Sequence, residues 1–149
     1  MRENTPSPSR SYRSKVDLWI PIVLLVAFAI PLVMAWQRKE PIARLAIYEG
    51  AALVVCLALI YSIRYVVDGR KLNVYIGPLR MGSYAVADIT RIAPSHSILS
   101  APAASLDRLR IHLSGRLMPV LVSPKEKQAF ISHLRTINPE ISLAPSKDS

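Results

Sequence analysis

The chain has 149 residues, 51% of them apolar, and a formal net charge of +9 from 19 basic and 10 acidic side chains. Being oily and strongly basic at once excludes an ordinary small soluble domain, and the short length excludes a many-helix transporter. The apolar residues concentrate in two runs, Val16 to Trp36 and Leu45 to Val67, and what remains is enough for one small soluble core plus tails.

In chain order, Arg2 to Ser14 mixes Pro, Ser, Asn and Arg with little apolar content. This predicts a disordered basic tail over residues 1–15 that sets topology or lies against anionic headgroups. Val16 to Trp36 gives a helix of roughly 31 Å at ~1.5 Å per residue, the thickness of a hydrocarbon core of about 30 Å. Trp19 and Trp36 bracket this run, and Tyr48 and Tyr65 bracket the second, both pairs being 17 positions apart. That is the placing expected of interfacial rings at both ends of a span. Pro21 and Pro31 disfavour a soluble helix and are tolerated in a membrane one. A cleaved signal peptide ending near Val33 and Ala35 is the competing reading, and the first run exceeds the usual length of a signal core.

The short loop 37–44 requires an antiparallel hairpin of spans 16–36 and 45–67. Eight Lys and Arg residues flank the hairpin outside the loop and three lie within it, which predicts both termini in the bacterial cytoplasm and residence in the cytoplasmic membrane. Glu49 is the one carboxylate well inside a span. It is a candidate intramembrane functional acid, or it lies near the outer end and reaches the interface or pairs with Arg44. Asp17 sits at the other interface beside Lys15. Cys56 has no second cysteine to join and reads as packing.

Beyond the spans the periodicity changes to that of strands. Leu72, Val74 and Ile76 alternate with polar neighbours, as do Leu109, Ile111 and Leu113 with Arg108, Arg110 and His112. Asp68–Gly69, Gly77–Pro78 and Ser114–Gly115 read as turns, which predicts strands over 65–67, 71–76, 81–86, 89–93, 108–113 and 117–122 in an antiparallel sheet. A helix follows over 124–137, capped by Ser123 with Glu126 as its capping-box partner, and Asn138 before Pro139 ends it. Phe130, Leu134 and Ile137, with Ile131 beside them, make one apolar stripe. Ser142 to Ser149 reads as a frayed end.

This order of elements, with Asp68, Gly69 and Leu72, Tyr75 to Gly77, Ile89 to Ile92, Ser100 to Ile111 reading SAPAASLDRLRI, and Ser123 to Phe130 followed by Asn138 and Pro139, resembles the bacterial pleckstrin-homology-like (PH-like) domains, in particular the YyaB-like membrane-attached type. The resemblance covers about residues 64–141. It implies an α+β fold in which a two-helix transmembrane hairpin precedes a small antiparallel PH-like split barrel capped by a C-terminal helix, and it brings no catalytic residues with it.

A search for chemistry finds little. His96, His112 and His133 lie on different elements with no Cys or acid at zinc-ligand spacing. No phosphate-binding glycine loop is present, and Ser105, Asp107 and His112 make an unconvincing nucleophile set. No catalytic residue, metal or cofactor is expected. Arg64 to Ile141 carries 11 basic and 5 acidic side chains. Arg108, Arg110 and His112 share one strand face, which reads as a solvated basic face or as a contact for an anionic headgroup or a partner. Aromatic platforms for nucleic acid are lacking. The leading expectation is a membrane-anchored PH-like binding or scaffolding module that recruits a protein partner or an anionic headgroup. The alternative is an accessory subunit of a membrane transport complex in which Glu49 faces a protein interior, and an enzyme ranks third.

Overall fold

The structure, a computed structural model, describes residues 9–95 and 107–145. Its elements are β1 (Arg10–Arg13), α1 (Trp19–Gln37), α2 (Ile42–Tyr61), β2 (Ile63–Asp68), β3 (Lys71–Ile76), β4 (Leu79–Ala85), a 3-10 turn (Val86–Asp88), β5 (Ile89–Ser95), β6 (Arg108–Leu113), β7 (Val120–Val122), α3 (Lys127–Ile137) and β8 (Ser142–Leu143). The strands form two four-stranded sheets, β1-β2-β3-β4 and β7-β6-β5-β8. All pairs are antiparallel except β5 with β8. This is the expected α+β architecture: an apolar helical hairpin, antiparallel sheets and a C-terminal helix.

The two helices are long and apolar enough to cross a membrane. Their large apolar side chains are exposed along their length, Ile22, Val23, Leu25, Val26, Ile30 and Val33 on α1 and Ile47, Val54, Val55 and Leu59 on α2 among them. They are therefore not core helices of the soluble part, and their surface needs an apolar solvent or partner.

Between the sheets lies one core. Tyr65 and Val67 of β2, Leu72 of β3, Ile92 of β5, Leu109 and Ile111 of β6, and Val122 of β7 point inward, and the α3 stripe closes the open side with Phe130 and Leu134 fully buried. Partly buried Ile131 and Ile137 pack against the same cluster. Two-residue loops join β2 to β3 and β3 to β4. Gly69 and Gly77 take positive φ at the first loop position (57° and 58°), and Pro78 suits the second position after Gly77.

The segment before α1 is the chief departure from expectation. Instead of a disordered tail ending at residue 15, Arg10–Arg13 is a strand paired in register with Val67–Arg64 of β2. Tyr12 is 3% exposed, packs edge-on against Phe130 with ring centroids 5.2 Å apart, and bonds through its hydroxyl to His133 Nδ1 at 3.1 Å. On its other side this segment meets the chain that follows β7. Ser14 bridges to Pro124, the Lys15 amide donates to the Ser123 carbonyl at 2.6 Å, and the Lys125 amide donates to the Arg13 carbonyl at 3.0 Å. The soluble domain is thus assembled from chain on both sides of the helical hairpin.

Other boundaries move for related reasons. The second helix ends at Tyr61, not Val67, because Tyr65 and Val67 belong to a buried strand whose apolar content simply continued the run. Tyr65 is accordingly a core residue and not an interfacial ring; its hydroxyl accepts from the Ser123 amide at 3.1 Å. Ser123 does not cap α3 either. The helix starts at Lys127 with Glu126 at its cap position and no side-chain cap bond, while the buried Ser123 is committed to the seam with Tyr65, Ser14 and Lys15. β7 holds only three residues, so the connection from β6 spans 114–119 with Leu117 and Met118 exposed. Ser142–Leu143, expected to fray, pairs with Arg91–Ile92. Asn138 does more than end α3: its Nδ2 donates to the carbonyls of Val86 and Ile89, tying the helix end to the 3-10 turn.

Tyr12→Ala is expected to lower the stability of the domain by about 3 kcal/mol through the cavity it leaves against Phe130, although Tyr12 is remote in sequence from every other core residue of the domain. Thermal unfolding of the full chain in detergent checks this, and Phe130→Asp should abolish protease resistance of the domain altogether.

Candidate functional site

Arg108, Arg110 and His112 alternate along β6 as the period-2 pattern requires, opposite the inward Leu109, Ile111 and Leu113. They do not form one exposed basic face. Arg108 is 3% exposed, while Arg110 and His112 are half-buried. A guanidinium so deep in the fold stands at the start of β6 opposite Ser95 of β5, itself buried. Arg108 is therefore not part of an exposed face. That leaves Arg110 and His112 as accessible members of the expected contact.

Asp107, weighed with Ser105 and His112 as a nucleophile set, is engaged by two lysines. Lys15 Nζ lies 3.2 Å from one carboxylate oxygen, and Lys127 Nζ is bonded to the other. This cluster ties the approach to α1 to the start of α3. Burial, and then the nearby Lys15, lowers the Lys127 ammonium below its ordinary range, with Asp17 acting the other way. Ser105 and His96 lie outside the described residues. Among the described residues no group of three or more His, Cys, Asp or Glu side chains could hold a metal ion.

Glu49 sits half-buried in the third turn of α2, and none of the ion pairs among the described residues involves it, the expected Arg44 partner included. At the opposite end of α2, where the helix enters β2, a cavity of about 430 Å³ is lined by Arg13, Tyr61, Ser62, Ile63, Arg64, Gly77 and Pro78. Sequence reasoning missed this site. Arg13 and Arg64 are 51 positions apart with the whole hairpin between them, and only the β1–β2 register brings them side by side.

The family comparison adds one decisive finding: the model described as Bacterial PH domain matches residues 63–138, slightly more than half of the chain. The chain belongs to the bacterial PH domain family. No curated protein and no solved structure matches it. The matched stretch of the PH domain begins where α2 ends and stops at the end of α3, so it excludes β1, the strand supplied from before the hairpin.

One titratable contact, between His133 and Tyr12, is expected to make the stability of the domain depend on pH. Burial, with Arg10 as the second cause, pushes the His133 imidazole below its ordinary range. With Nδ1 unprotonated, the ring accepts from the Tyr12 hydroxyl, and protonation removes that acceptor. The unfolded chain then binds more protons than the folded one as pH falls below the ordinary imidazole value of ~6.5. Stability is expected to be full above that value and to fall as pH drops from it through the depressed folded one. Melting temperatures of the full chain at pH 7.5 and 5 should differ more than those of His133→Gln.

Proposed function

We propose that this chain is a membrane-anchored PH-like module, of the YyaB-like membrane-attached type, which holds its domain at the cytoplasmic face of the bacterial inner membrane to recruit a protein partner or an anionic headgroup there. The observation that carries this reading is the way the hairpin joins the domain. The chain leaves β1 for α1 and returns from α2 directly into β2, and these two strands pair with each other. With the exposed apolar helices in a bilayer, one end of the first sheet is fixed against the membrane surface on a tether of a few residues. Such tethering raises the effective concentration of the domain for anything at that surface, so weak recognition suffices. The positive charge outside the hairpin loop favours the cytoplasmic orientation.

The full chain is expected to remain in the membrane fraction after alkaline carbonate washing. A cytoplasm-dependent fluorescent reporter fused after Ser149 is expected to light up. A photocrosslinking residue at Arg91 or Arg110 in living cells is expected to give a discrete protein or lipid adduct. A chain released by carbonate, a dark reporter, or the lack of any adduct from these positions would each contradict the corresponding part of the reading.

A further inference from the structure

The register of the first sheet assembles a row of charges that the sequence scatters over 68 positions. Arg13 of β1 is the direct partner of Arg64 in β2, Arg64 is the partner of Tyr75 in β3, and Tyr75 is the partner of Arg80 in β4. Directly paired residues project from the same side of a sheet. Here that is the outer side, because Tyr12 and Tyr65, the neighbours of Arg13 and Arg64, point into the core. The last place in the row depends on an irregularity. A bulge beside Val74 and Tyr75 shifts the pairing by one residue, so that Arg80 and not Met81 stands opposite Tyr75.

Three arginines in one cross-strand row repel each other, and directly opposed like charges destabilise a sheet. No carboxylate compensates them: the ion pairs among the described residues involve none of Arg13, Arg64 and Arg80, and all three are exposed. What orders Arg64 is neutral. Its guanidinium lies over the Tyr75 ring, 5.4 Å from the centroid, and reaches the Gly77 carbonyl at 3.5 Å. Arg13 and Arg64 also form part of the wall of the cavity at the helix-to-strand junction. The arrangement is a set of unspent anion donors beside a concavity.

The location selects the anion. Arg64 comes three residues after Tyr61, the last residue of α2, and Arg13 comes six before Trp19, the first of α1. The β3–β4 turn lies level with the helix end, since the Gly77 amide donates to the Ser62 carbonyl at 3.4 Å. On either side of Arg80, Leu79 and Met81 are 64% and 62% exposed. Exposed apolar residues next to a cation beside the end of an apolar helix suit the boundary between headgroups and acyl chains. Arginine offers paired donors to phosphate oxygens, and basic side chains at this depth are drawn to anionic lipid.

We propose that the Arg13–Arg64–Tyr75–Arg80 row is a binding site for the phosphate of an anionic phospholipid headgroup, in the leaflet where α1 begins and α2 ends. The site differs from the β6 face formed by Arg110 and His112, and it rests on the reading of α1 and α2 as membrane spans.

The test uses the full chain released from membranes into mixed micelles holding equimolar phosphatidylglycerol and phosphatidylcholine, with bound lipid counted by native mass spectrometry. The wild-type chain is expected to retain phosphatidylglycerol at least about tenfold in preference to phosphatidylcholine. Each of Arg13→Gln and Arg64→Gln should reduce that preference about fivefold, with the double variant near parity. Arg135→Gln, in the last turn of α3, should leave it unchanged. Millimolar inorganic phosphate should not displace the lipid, and displacement by phosphate would reassign the site to a free anion and overturn the lipid assignment. Equal retention of the two lipids by the wild-type chain, or full preference in a folded double variant, would refute the site. If the chain nevertheless resists carbonate extraction, the membrane reading survives that refutation. Release by carbonate would remove both.

Discussion

The pairing of β1 with β2 is the contact on which the rest of this architecture depends. One strand precedes the helical hairpin and the other follows it, so their hydrogen bonds close a loop around both helices. A flexible loop of that length costs entropy to close, although the cost grows only slowly with length. The hairpin itself offsets much of it, because antiparallel helices joined by a short turn return the chain close to where it left. The buried ring of Tyr12, packed on Phe130, and the Ser14–Pro124 bridge then lock the strand to α3 and to the segment that follows β7. The helical hairpin and the domain are in this way mutually consistent: each brings together ends that the other needs.

How much of this was legible in the sequence depends on whether the signal was local. The apolar runs, the alternation in β3 and β6, and the α3 stripe are local patterns, and they sufficed for the helical hairpin, the antiparallel sheets and the C-terminal helix. Composition failed wherever a residue's role was set by a distant partner. Arg10–Arg13 has one apolar residue, and nothing nearby shows that Tyr12 meets Phe130. Tyr65 and Val67 read as part of the second span because a buried strand directly following an apolar helix has the same composition. Ser123 has the spacing of a helix cap, yet its backbone is used by Tyr65 and Lys15. Asn138, legible only as a stop, donates to two carbonyls, one in the 3-10 turn and one at the start of β5.

The charges sort in the same manner. The basic excess suggested orientation and a basic surface, which are bulk properties of the sequence. Which arginines face one another is a question of register. Arg108 looked like part of an exposed strand face and is buried, whereas Arg13, hidden in an apparent tail, stands beside Arg64 at the end of the domain nearest the helices. A one-residue bulge decides that Arg80 completes the row, and no local pattern announces a bulge there.

The most direct test of this account is the β1–β2 closure itself, measured in native membranes. With Cys56 replaced by Ser, cysteines at Ser11 and Val66, which are direct partners in the register, stand within the Cα separation a disulfide spans. Mild oxidation is expected to convert most of this variant to an intramolecular disulfide, while the off-register pair Ser11→Cys with Lys71→Cys stays reduced. Failure of the Ser11–Val66 pair to crosslink, or equal crosslinking of both pairs, would contradict a domain closed by chain from both sides of the hairpin.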